Sequence, residues 1–126
     1  MDITQAIAEL KKEPEFTDNV GMILVHNGIV RGWSRKDHQD VSAVNVKINT
    51  TKVQEICTEL MQREGIFRVI AEGFDGVRKA GDDLLFIIVA GDIRENVKPV
   101  LAEALDRIKS EAVSKHEIAP DGSVLA

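Results

Sequence analysis

The sequence predicts an α+β fold in which helices cover a mixed or antiparallel sheet, and three observations carry that reading. Segments of helical periodicity alternate with short apolar runs in the order αββαββαβ, without a linker, repeat or low-complexity stretch. Residues 84–90 (LLFIIVA) are continuously apolar, the pattern of a strand covered on both faces. The chain has 126 residues, 44% of them hydrophobic, which suits one domain spanning residues 1–126 with a sizeable core.

The elements follow in order. Asp2 with Gln5 forms a capping box, and Ile3, Ile7 and Leu10 share one helical face, so a helix is expected over about residues 3–12, ending at Glu13-Pro14. Residues 21–30 (GMILVHNGIV) read as a strand, although Asn27-Gly28 within it could equally make a tight hairpin turn. Residues 31–40 (RGWSRKDHQD) are polar, a loop with little to bury that should stay mobile until a partner orders it. Val44, Val46 and Ile48 alternate with Asn45 and Lys47, as in a half-buried strand. Thr51 with Gln54 is expected to open the next helix, whose stripe is Val53, Ile56, Leu60 and Met61 and which Gly65 closes. A third strand covers residues 66–71, and residues 73–81 read as a turn-rich hairpin connection. Val97, Val100, Leu101, Ala104, Leu105 and Ile108 mark the longest helix; Asn96 as its cap places Pro99 in the first turn, where proline is tolerated. Pro120-Asp121-Gly122 is a turn with room for two very short flanking strands.

Composition narrows the function. A net charge of −5 argues against a non-specific polyanion binder, and one Trp, four Phe and no Tyr give little material for stacking nucleic-acid bases. The single cysteine, Cys57, rules out an internal disulfide framework, suits a reducing compartment, and reads as a buried inert thiol beside its helix stripe. The N-terminus has no signal-peptide pattern and no apolar stretch approaches a membrane span, so a cytoplasmic protein without membrane association is expected. Dinucleotide, P-loop, zinc-protease and C-x-x-C motifs are absent, and His26, His38 and His116 are scattered, so no metal site is expected.

What remains is basic. Arg31 stands where a strand gives way to a loop, Arg94 just after the buried strand, and Lys109 and Lys115 on either side of the last helix's end. Taken singly, each reads as a solvated surface charge. Strand ends and helix ends often meet around one pocket, however, where gathered cations hold an anionic substrate and a partly desolvated lysine serves as acid, base or nucleophile.

These residues also carry a resemblance. Gly28-x-Val30-Arg31 after an apolar strand, Gly81-Asp82-Asp83 before the strand leading to Arg94, Ile108-Lys109-Ser110, Ser114-Lys115-His116-Glu117 and the Pro120-Asp121-Gly122 turn occur in one order from about Gly21 to Gly122. Together they resemble the large, catalytic subunit of molybdopterin synthase. The resemblance implies an α/β hammerhead-type fold and a homodimer within a heterotetramer. Its partner would be a ubiquitin-like small subunit with a Gly-Gly tail ending in a thiocarboxylate. Its activity would be transfer of that sulfur to cyclic pyranopterin monophosphate, in molybdenum cofactor biosynthesis, with no resident cofactor. By position, Lys109 and Lys115 would be catalytic, and Arg31, Arg94 and His116 would bind substrate.

The sequence also departs from the family pattern. Ile93 stands where the family pairs a histidine with its arginine, His26 where it has a phenylalanine, and Ser114 where it has a tryptophan, with one residue fewer before Lys115. The sequence ends at Ala126, before the family's C-terminal extension and its further arginine. Two other readings follow: a homologue that has lost the chemistry and only binds the small subunit or a pterin, and an unrelated ferredoxin-like regulatory module.

Overall fold

The strand β5 (Asp83–Gly91) organises the protein, because both its faces are apolar and both become buried. Leu85, Ile87 and Val89 enter a larger core, while Phe86, Ile88 and Ala90 enter a smaller one. Each fully buried isoleucine contributes on the order of 2 kcal/mol through removal from water. The computed structural model describes residues 2–125. Ahead of β5 lie α1 (Ile3–Leu10), α2 (Phe16–Asn19), β1 (Met22–Ile29), β2 (Ala43–Ile48), α3 (Thr50–Leu60), β3 (Ile66–Gly73) and β4 (Gly76–Lys79). After it come α4 (Arg94–Glu111) and β6 (Val113–Ile118).

The strands form two three-stranded sheets, ordered β1-β5-β3 and β4-β2-β6, with every pairing antiparallel. The α+β expectation therefore holds in its antiparallel form, divided between two sheets. The larger core lies between them and against α3 and α4, through Val53, Ile56, Leu60, Val97, Val100, Ala104 and Ile108. The smaller one lies under α1, through Ala6 and Leu10. No helix among the described residues is long and apolar enough to cross a membrane.

Several local expectations change. Asn27-Gly28 makes no turn: β1 runs through both residues, paired with Phe86 and Leu85. Residues 73–81 are not a simple hairpin connection. The chain leaves β3, crosses to the second sheet as β4, and returns through Gly81, whose φ of +95° glycine tolerates readily. The crossing is tied by the Ile48 amide, which donates to Asp75 Oδ1 at 2.6 Å.

Thr51 does not open α3. Asn49 caps it, accepting from the Lys52 amide at 3.0 Å, and the helix ends at Leu60, before the turn at Gly65 (φ +76°). Nor does Asn96 cap α4. The helix starts at Arg94, and the Asn96 side chain instead donates to Asp92 Oδ1 at 2.9 Å, beside the Ile93 amide at 2.6 Å. These two donors fix the corner from β5 into α4 and hold the Asp92 carboxyl below its ordinary range, with Asn96 the larger cause. Pro99 therefore lies inside the helix rather than in its first turn. At the other end, β6 and the Ile118–Val124 bridge supply the short flanking strands expected around the Pro120 turn.

Candidate functional site

A cavity of about 560 Å³ opens where the two sheets meet the end of α4. Its polar lining is His26 from β1, Arg31 and Arg35 from the following loop, Lys109 from α4, and Lys115 and Glu117 from β6. Val46, Ile48, Leu84, Leu85 and Val113 supply apolar wall.

Strand geometry places most of these groups. Side chains alternate across a strand, so Val113, Lys115 and Glu117 share the cavity face of β6 while Ser114 and His116 point the other way. The pairing of Val46 with Lys115 sets the lysine opposite an apolar wall residue. A register irregularity between Gly28 and Ile29 lies immediately before Arg31. Bulges of this kind re-aim the residues that follow them.

The loop after β1 is more built than its composition suggests. Ser34 is buried, and its hydroxyl accepts from the Gln39 amide at 2.9 Å. The Ser34 and His38 amides donate to Gln39 and Ser34 carbonyls at 2.8 and 3.0 Å, and Val41 donates to Gly32 at 3.0 Å. The rings of Trp33 and His38 stack at 4.5 Å, and the Arg31 guanidinium lies 4.6 Å from the Trp33 centroid. The polar segment thus buries a serine and closes on itself, holding both arginines at the cavity.

Four cations against one carboxylate leave the lining with three net positive charges, in a chain of net charge −5. The Lys115 ammonium titrates below its ordinary range, chiefly because the walls exclude water, with Lys109, Arg31 and Arg35 adding repulsion and Glu117 opposing it. Burial, then Lys109, likewise lowers His26, which favours its neutral form. Its Nε2 is shut from solvent and has no hydrogen-bond partner among the described residues. Such a site suits a small ligand bearing two or more negative groups, with a lysine able to exchange a proton nearer neutrality than usual.

Lys109, Lys115 and Arg31 are brought together as the sequence led one to expect. Arg94 is not. It lies at the opposite end of α4, about 22 Å along the helix from Lys109, exposed and 3.4 Å from Glu95. His116 is not either, because β6 alternation turns it to the far face beside Asn45 and Asp75. Sequence reasoning missed Arg35, Glu117 and His26 as cavity residues. The signal for Arg35 was a second arginine four residues after Arg31, which becomes informative only once the loop is known to fold back. Cys57 is buried, with its thiol pushed up to about 11 by burial, as suits an inert core residue.

Known proteins share this fold. A probable molybdopterin synthase of Haloferax volcanii is 25% identical over 122 residues, covering 93% of this chain. The chain spans about half that relative, 47% of its length. Among solved structures, molybdopterin synthase from Staphylococcus aureus superimposes with a TM-score of 0.79 at 21% identity, covering 98% of this chain and 89% of that one. The complex of subunits 1 and 2 of molybdopterin-converting factor from Helicobacter pylori gives a TM-score of 0.69 at 15% identity, with 98% and 83% covered. At these identities the structural likenesses establish the fold. The family model described as MoaE protein matches residues 1–111, most of the sequence, and the chain belongs to that family.

Proposed function

We propose that the protein is the large subunit of a molybdopterin synthase, transferring sulfur from a small subunit's C-terminal thiocarboxylate to cyclic pyranopterin monophosphate. The observation that carries this reading is the convergence of Arg31, Arg35, Lys109 and Lys115 on one cavity. A thiocarboxylate and a phosphate monoester are both anionic, and fixed cations in a water-poor site bind them without reorganisation. Arg31 and Arg35 suit oxygen pairs, which a planar guanidinium can grip at two points. Lys115, partly desolvated, is the group to shuttle protons as the sulfur bonds to the pterin and water replaces it on the tail's carbonyl carbon, leaving a carboxylate, and Lys109 stabilises developing negative charge beside it. The sulfur arrives with the partner, so neither a reactive cysteine nor a resident cofactor is required. The Helicobacter pylori relative forms a two-subunit complex, which supports a small-subunit partner; that its tail ends in Gly-Gly is part of the proposal. This reading places the chain in the cytoplasm, as a homodimer within a heterotetramer.

A second reading, a scaffold that binds the small subunit without turnover, is favoured by Ile93 in the family's histidine position. Reconstitution separates the two. The chain is mixed with a thiocarboxylated small protein encoded nearby and the cyclic pterin, and dithiolene product is followed by mass spectrometry. Product formation is expected. Binding of the partner without product would establish the scaffold, and absence of any binding would contradict both readings.

A further inference from the structure

We propose that Trp33 is a positioning residue of the cavity, an indole that holds the Arg31 guanidinium by its face and leaves the N–H edge free for an anion. The inference rests on the functional reading above and deepens it, since that reading gives Arg31 a task without saying what aims it.

Arg31 shares the cavity with Arg35, Lys109 and Lys115, so like charges push its long side chain away from the place where an anion would need it. Among the described residues no side-chain hydrogen bond or ion pair restrains it, and its directional contact is with an aromatic ring. A carboxylate in that place would fix the arginine, but it would also cancel the charge and occupy the donors. An aromatic face does neither. The five N–H donors of a guanidinium lie in its plane, so a ring that attracts the cation through its face leaves them open. The Arg31 guanidinium carbon lies over the Trp33 ring, 4.6 Å from its centroid.

The loop is built to hold that indole. Trp33 is 40% exposed and belongs to neither hydrophobic core, so burial does not account for it. It does not line the cavity either, which leaves Arg31 as the group it acts through. Its backbone bridges Asp40 across the loop, and its ring stacks on His38 at 4.5 Å with 6° between the planes. His38 has a φ of +55°, a left-handed conformation uncommon outside glycine that persists where the surroundings fix it. The His38 amide donates to the Ser34 carbonyl and the Gln39 amide to the Ser34 hydroxyl, and this turn carries the imidazole back onto the indole.

Trp33 is the only tryptophan of a chain without tyrosine, so its fluorescence reports this contact directly. Titration with inorganic phosphate at fixed ionic strength should change the emission with the affinity that calorimetry gives, and Arg31→Ala should abolish the change. By calorimetry Trp33→Leu should bind phosphate about two- to fivefold more weakly, the worth of one exposed cation–π contact. Trp33→Phe, which keeps an aromatic face, should recover most of that loss. In an Arg31→Ala background, Trp33→Leu should change the affinity by less than about 1.5-fold, because a residue that acts through Arg31 has nothing left to position. Unmoved emission while phosphate binds, unchanged affinity in Trp33→Leu, or an equal loss with and without Arg31 overturns the inference and leaves the functional reading standing. Failure of the unaltered chain to bind either phosphate or cyclic pyranopterin monophosphate overturns both.

Discussion

Two residues at the cavity work against the stability of the free protein. Lys115 carries its charge among Lys109, Arg31 and Arg35, and His26 resists protonation in a half-buried wall. For His26 the folded value lies below the ordinary 6.5, so the unfolded chain takes up its proton first. Stability from this group is therefore fully present above about 6.5 and is lost as pH falls through the lowered folded value. The charged groups around it are Lys109 on α4, Lys115 and Glu117 on β6, and Arg31 and Arg35 on the loop. Urea midpoints should thus fall between pH 7 and pH 5, and His26→Phe should flatten that part of the profile; an unchanged slope in the variant would count against the assignment. The resemblance and the spacing made Lys109, Lys115 and Arg31 legible in the sequence. They could not place His116, because one residue of strand register decides which face it takes. Arg94 stands apart from this cavity for a different reason: eighteen residues of helix separate the ends of α4, and sequence proximity to a strand end does not report that distance.

At the scale of elements, the period-2 pattern of β2 and the double-sided apolar run of β5 were readable because burial writes them directly into composition. The Asp2 cap of α1 was readable too, its carboxylate accepting from the Gln5 amide, but the caps of α3 and α4 were not, since several polar residues compete for each helix start and only the corner geometry chooses. Asn96 looked like a cap but is committed to Asp92. The four-residue α2 and the strand switch into β4 were also illegible, being too short to show a period. Between α3 and α4, Arg107 bonds Glu59 at 2.7 Å and Glu111 at 3.1 Å, and Lys52 reaches Glu111 at 3.4 Å, a surface network that aligns the helices more than it stabilises them. The loop after β1 offers the sharper test. Ser34→Ala removes one side-chain acceptor, at about 1 kcal/mol, from a segment outside the main core. The expected outcome is faster hydrogen exchange at Gln39 and His38 with a severalfold loss of phosphate affinity and little change in melting temperature. Retained affinity together with a loosened loop would show that the loop does not position Arg31 and Arg35.

For the molecule as a whole, the division into two sheets is what makes a site. A single continuous sheet would have paired the seam shut, whereas two sheets meeting at β2, β5 and α4 leave room for side chains from β1, β6 and the loop. That division was not legible, because pairing partners are set by contacts distant in sequence. The outer edge of β1 has no strand beside it among the described residues, and Val25 and Ile29 on that strand are 38% and 43% exposed. Apolar groups on an open edge favour a symmetric pairing. Sedimentation equilibrium at micromolar concentration should accordingly give a dimer, and a clean 13.9 kDa species would contradict it. Whether sulfur transfer occurs in the cationic cavity is decided by single-turnover dithiolene formation in Lys115→Ala, with small-subunit affinity measured in parallel. The expected outcome is a fall of at least about a hundredfold in rate, as for loss of one acid–base or electrostatic group, with affinity changed only slightly because the wider interface dominates it. A variant that turns over at the unaltered rate, or that loses rate only in proportion to lost partner binding, would contradict the claim.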